Sequence, residues 1–154
     1  MKTRLLILLL CSIGTFTSCR KEKETRVTDY VDPFVGTAGQ GHCFPGAAIP
    51  FGGIQLGPDN PRSGWEWCSG YHYSDSIISS FSHSHLSGTG IGDLQDIRLL
   101  PVTGRPQPGE SAIDFITSGY AKFSHANEIA EPGFYSVTFD NGIKTELSVT
   151  ARCG

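Results

Sequence analysis

Between Tyr30 and Ile54 the chain interrupts its apolar residues with Pro33, Gly36, Gly39, Gly41, Pro45, Gly46, Pro50, Gly52 and Gly53. Proline brings no backbone N–H and glycine no side chain, so this density forbids a helix and cuts any strand into short pieces. An ordered loop with tight turns is the expected result. Glycine is 19 of 154 residues, well above the usual share of about 7%, with no collagen-like period to account for it. Charged residues are only 18% of the chain and the net charge is −3, which excludes a charge-rich disordered tail, a coiled coil and a nucleic-acid binder held by basic charge.

Strand-like runs follow at Gly53–Leu56, Ile77–His83, Ile97–Val102, Ala121–His125, Gly133–Phe139 and Ile143–Ala151. No window carries a long helical period. Short strands that each bury one face pack most simply as a mostly β, antiparallel sandwich. The last two runs can be read in register. A three-residue loop, Asp140-Asn141-Gly142, pairs Phe139 with Ile143 and Tyr135 with Leu147 and so keeps apolar residues on one face; a two-residue loop would set Phe139 against Lys144. The longer turn is therefore predicted, with Gly142 at positive φ. The final run ends at Cys153-Gly154 with no turn signal, so the β domain reads as incomplete. Apolar surface near Val137, Phe139 and Val149 is expected to stay exposed.

The N-terminus is of another kind. Lys2 and Arg4 precede an apolar run from Leu5 to Cys11, too short to span a bilayer, which takes about 20 residues, and suited to a secretory signal. The run closes on Phe16-Thr17-Ser18-Cys19, which resembles the cleavage box of bacterial lipoproteins with Phe in place of the usual Leu. Residues 1–18 are then a lipoprotein-type signal peptide, Cys19 the lipidated residue that anchors the protein to a membrane, 19–29 a polar tether and 30–154 the β domain. Losing Lys2 and Arg4 leaves 10 basic against 15 acidic residues, a net −5. Cys43, Cys68 and Cys153 remain. Three is an odd number and no C-x-x-C spacing occurs, so a thiolate zinc site is not expected; one pair can form in an oxidising compartment, and Cys68 is expected to be buried and free.

Two segments carry chemistry. The first, Ser63-Gly64-Trp65-Glu66-Trp67-Cys68-Ser69-Gly70-Tyr71-His72-Tyr73, holds four large aromatics between glycines and polar groups. They can be core, or a flat wall stacking on the C–H face of a sugar while Glu66, Ser69 or His72 bonds its hydroxyls. In the second, Phe81-Ser82-His83-Ser84-His85-Leu86-Ser87-Gly88-Thr89-Gly90-Ile91-Gly92-Asp93-Leu94-Gln95-Asp96, an extended backbone would set His83 and His85 on one face as metal ligands. The reading preferred here is that both histidines lock a glycine-rich loop by bonding backbone. The glycines match no phosphate loop and no G-x-S-x-G occurs, so neither a nucleotide site nor a serine nucleophile is indicated.

Together with Tyr30-Val31-Asp32-Pro33-Phe34-Val35-Gly36-Thr37 and Gly41-His42-Cys43-Phe44-Pro45-Gly46-Ala47-Ala48-Ile49-Pro50-Phe51-Gly52, these segments resemble, in order, the amino-terminal domain of glycoside hydrolase family 92, from about Tyr30 to the last residue. That family comprises exo-acting α-mannosidases, many of them lipoproteins or periplasmic enzymes. The resemblance implies a β-sandwich packed on a downstream (α/α) barrel. It also implies an inverting reaction on mannose-containing glycans, with calcium near the terminal mannose. Inversion needs two carboxyl groups about 6.5–9.5 Å apart. In the family these lie in the helical domain, so no catalytic residue is assigned here; Glu66, Asp93 and Asp96 are weighed and set aside. The expected contribution is a wall beside the substrate. Trp67 is its leading residue, followed by Trp65, with Cys68, Phe44 and His42 lining the same cleft. The fragment alone is expected to be inactive. The competing readings are a stand-alone carbohydrate-binding β-module on a lipid tether and a metal-binding module using His42, His83 and His85.

Overall fold

The computed structural model describes residues 25–88, 90–92, 94–105 and 107–154. The signal segment, Cys19 and Asp93 lie outside the described residues. Among the described residues seven strands form two antiparallel sheets. The first has the order β1-β2-β4, with β1 at Ala47–Ala48, β2 at Gln55–Asp59 and β4 at Ser80–Ser82. The second has the order β3-β5-β6-β7, with β3 at Ile77–Ile78, β5 at Ala121–Glu131, β6 at Phe134–Phe139 and β7 at Lys144–Ser148.

Aromatic side chains join the two sheets. Phe81 of β4 packs 6.3 Å from Tyr135 and 6.1 Å from Phe139 of β6, centroid to centroid. Ala47, Tyr71, Ile78, Phe123 and Val137 complete the buried core. Val137 and Phe139 are 0% and 2% exposed, and Val149 packs against the same core. The expectation that this surface stays wet is thus corrected: the first sheet covers it.

Pro58 lies in the central strand of the first sheet, where a missing N–H would ordinarily break a ladder. Gln55 N–H bonds His83 O, so odd positions of β2 face β4 and even positions face β1. β1 pairs only with Gln55 and Leu56, and the nitrogen of Pro58 therefore points past its end. The ladder loses no bond.

The β6–β7 hairpin has the predicted register, with Tyr135 opposite Leu147, Phe139 N–H bonding Ile143 O and Gly142 at φ 86°. Two elements differ from the sequence reading. Ile97–Val102 contributes only a bridge, Leu99 opposite Phe81, because Leu94, Gln95 and Ile97 adopt positive φ and turn the chain out of extended geometry. A short helix, α1 (Ala112–Ser118), was not predicted; Ser111 caps it by accepting from Asp114 N–H.

Candidate functional site

The aromatic segment forms a 3₁₀ turn at Trp65–Trp67 between Gly64 and Cys68. Gly64, at φ 135°, turns the chain so that Trp67 N–H bonds back to Gly64 O. The two tryptophans, two residues apart, leave the turn in different surroundings.

Trp65 is 60% exposed. Its six-membered ring lies on Gly90, where a Cβ would meet it at about 2 Å, and His42 packs against it edge to face with centroids 4.9 Å apart. His42 takes φ 52°, a left-handed conformation uncommon outside glycine and one that His adopts more readily than most side chains. Gly88 N–H bonds His42 O at 2.6 Å, which ties this residue to the loop beneath Trp65. His42 is 7% exposed and its Nε2 has no partner among the described residues.

Trp67 is half-buried and bonded at its edge: its indole Nε1–H donates to Asp75 Oδ2 at 2.7 Å. One neighbour of its ring is His72, 5.1 Å away, and another is the Arg62 guanidinium, 5.5 Å from the ring centre. Asp75 is 5% exposed, and its second oxygen takes Arg62 Nε at 3.3 Å. His72 Nδ1 accepts from Ser74 N–H, so its proton sits on Nε2.

Cys68 is 3% exposed and its thiol donates to Trp65 O; it shapes the turn from behind. Phe44 stacks on His85 at 4.4 Å and lines a separate groove of about 560 Å³ with Val31, Pro33 and Ile49. The structure therefore brings His42, Trp65 and Cys68 together and sets Trp67 beside them on the same turn, while Phe44 faces a different groove. A cleft of about 660 Å³ runs along β7 between Leu56, Phe81, Leu99 and Leu147 and holds none of these residues.

Sequence reading did not single out Asp59, the buried carboxylate that gathers the polar groups behind the site. Asp59, 1% exposed, accepts from Ser80 Oγ at 2.8 Å and Ser82 Oγ at 3.0 Å and meets His85 Nε2 at 3.0 Å. His85 Nδ1 faces Gln55 O at 2.7 Å, and a carbonyl only accepts, so Nδ1 carries a proton. His83 Nδ1 faces Ile97 O at 3.1 Å. Both histidines thus lock the loop through backbone carbonyls, as preferred from the sequence. They do not gather with His42: among the described residues no three His, Cys, Asp or Glu side chains are placed to hold a metal ion, which corrects the reading of a histidine metal module. Cys43, Cys68 and Cys153 are all free thiols.

Farther along, the bulge of β5 between Phe123 and Glu128 turns Glu128 into the interior. Its carboxylate accepts from Tyr135 Oη at 2.7 Å, from Tyr71 Oη at 3.1 Å and faces His125 Nδ1 at 2.7 Å. Burial first, and the neighbouring Glu128 charge second, raise both tyrosine hydroxyls well above the ordinary phenol range. Neither tyrosine ionises in the folded protein at neutral pH. Of the acidic residues weighed as proton-transfer groups, Glu66 is half-buried on the aromatic turn, and Asp96 is exposed and accepts from Ser84 Oγ.

Comparison with known proteins assigns this arrangement to a family. The family model of the glycosyl hydrolase family 92 N-terminal domain matches residues 30–154. An uncharacterized secreted glycosidase of Arthroderma benhamiae is 33% identical over 144 residues, 92% of this chain and 18% of that protein. A family GH92 α-mannosidase from Bacteroides thetaiotaomicron, solved in complex with mannoimidazole, is 42% identical, with a TM-score of 0.72 over 82% of this chain and 17% of that one. A family GH92 inverting mannosidase from the same organism is 28% identical, with a TM-score of 0.60 over 83% of this chain and 17% of that one. The chain thus spans less than a fifth of the length of these relatives. With its family model matched from Tyr30 to Gly154, the chain belongs to glycosyl hydrolase family 92 and carries the N-terminal domain of that family.

Proposed function

We propose that the chain is the substrate-cleft-shaping part of an exo-acting, inverting, calcium-dependent α-mannosidase that hydrolyses terminal α-mannosides, such as α-1,2-linked mannose of glycans. The observation that carries this reading is the open face of Trp65, propped on Gly90 and braced by His42, in a chain 42% identical to an α-mannosidase. A rigid exposed indole gives the C–H face of a sugar a large apolar contact at little cost in conformational entropy. Trp65, rather than Trp67, offers that contact, since Arg62 and His72 occupy the surroundings of the Trp67 ring. Trp67 and Cys68 fix the turn, and His42 sets the tilt of the platform.

The acid and base of the reaction belong to a downstream (α/α) barrel, the domain this one would pack against. Calcium would be held near the hydroxyls of the terminal mannose in the full enzyme, where a hard ion suits hydroxyl, carboxylate and carbonyl oxygens. Export fits the sequence of residues 1–18 and the description of the Arthroderma relative as secreted. Lipid on Cys19 would hold the enzyme at a membrane, in the periplasm or at the outer surface.

The test is kinetic. In a chain extended through the barrel, Trp65→Ala should raise KM for an α-mannoside about tenfold or more, the loss of one stacking contact of about 1.5 kcal/mol. An unchanged KM would remove Trp65 from the cleft.

A further inference from the structure

Arg62 is the one Lys or Arg between Pro61 and Asp75, and three observations show it organised toward solvent. Its side chain is 63% exposed, yet its Nε is tied at 3.3 Å to Asp75, a carboxylate 5% exposed. Its guanidinium lies 5.5 Å from the centre of the Trp67 ring. The same Asp75 takes the Trp67 indole N–H at 2.7 Å. Carboxylate, indole and guanidinium therefore brace one another. An ordinary surface arginine loses rotamer freedom whenever it is ordered; here part of that cost is met before any ligand arrives. The remaining N–H donors of Arg62 have no acceptor among the described residues.

Charge decides what such a fork can take. A guanidinium commonly recognises carboxylate or phosphate, but Asp75 already balances the charge of Arg62. Residues 62–75 carry Arg62 against Glu66 and Asp75, a net −1. An arriving anion would meet a segment of its own sign, whereas neutral hydroxyl oxygens meet only directed donors. We propose that Arg62 is a ligand-binding and specificity-determining residue of the aromatic turn, donating from its free guanidinium edge to paired hydroxyl oxygens of a neutral sugar. This rests on the reading of Trp65 as a glycan platform. It assigns Trp67 the task of holding Arg62 flat and Asp75 that of a positioning residue.

The test uses the ¹⁵N-labelled 154-residue chain, titrated separately with methyl α-mannoside and with inorganic phosphate while the Arg62 Nε–H and Trp65 indole N–H signals are followed. The mannoside is expected to shift both signals. Arg62→Lys, which keeps the charge but not the fork, and Arg62→Ala should each weaken its Kd about tenfold, the loss of about one charge-assisted hydrogen bond. A shift at Trp65 with an unchanged Kd in both variants would overturn the role of Arg62 and leave the platform standing. Mannoside that shifts neither signal overturns both. Phosphate that shifts Arg62 where mannoside does not overturns the choice of a neutral ligand.

Discussion

Trp65 and Gly90 are in contact so close that a Cβ on Gly90 would sit 2.0 Å from Trp65 Cζ3. The position of a Cβ is fixed by the backbone and no χ rotation moves it, so any larger residue at position 90 must lift the indole or move the loop.

Gly90→Ala is therefore expected to displace Trp65 from His42 while leaving the sheets intact. The measurement is tryptophan fluorescence with acrylamide quenching. The variant should show a shifted emission maximum and altered quenching with an unchanged far-UV dichroism spectrum. An emission spectrum identical to the parent would mean that Gly90 does not set the platform.

Asp59 links β2 to Ser80, Ser82 and His85 in the interior. Asp59→Ala leaves three buried polar groups short of a partner and should cost about 3 kcal/mol or more. Urea unfolding reads this as a lower midpoint. A loss below about 1 kcal/mol would show that the network contributes little.

Alkaline pH should destabilise the fold through Tyr71 and Tyr135. Both hydroxyls have their folded pKa raised by burial and then by Glu128, against about 10 in the unfolded chain. The neutral forms are thus favoured by folding. Their stabilisation is fully present below about pH 10 and is lost as pH rises beyond it toward the folded values, by up to about 1.4 kcal/mol per pH unit for each tyrosine. Unfolding followed by tyrosinate absorbance should show two hydroxyls ionising only as the protein unfolds. All five tyrosines titrating near pH 10 in the folded chain would contradict it.

Gly142→Ala should cost about 1 kcal/mol. At φ 86° an L-residue is strained, and nothing lies within 4 Å of the added Cβ, so the loss measures backbone conformation alone. A chemical-denaturation midpoint equal to that of the parent would argue against the three-residue turn.

That hairpin was legible in the sequence because one rule sufficed: only one loop length keeps Tyr135 and Leu147 on a shared apolar face. The burial of Cys68 and the backbone bonding of His83 and His85 were also expected, but the carbonyls those histidines meet, on Ile97 and Gln55, lie 14 and 30 residues away and could not be named. Helix α1 was missed because seven residues are too few for a helical period to emerge, although Ser111 followed three residues later by Asp114 is a local capping signal. β5 was predicted to end at His125 and reaches Glu131, because its bulge carries polar residues into a strand that sequence alternation alone ends early. In the site, the aromatic turn was visible but its partners were not. Asp75 lies 8 residues from the indole it holds and His42 more than twenty from Trp65, and contacts at such separation are set by tertiary packing. The sequence put Trp67 first, and the proposal of Trp65 in its place rests on those partners, so composition could name the pair but not the face.

The central proposal is a division of labour, in which this domain would shape a pocket for mannose and the proton-transfer pair would come from the downstream barrel. Release of free mannose from an α-1,2-linked mannobiose, with calcium present, tests it most directly when residues 20–154 are compared with a chain extended through the barrel. The account predicts no release by the short chain and ready release by the long one. Mannose released by residues 20–154 alone would contradict it.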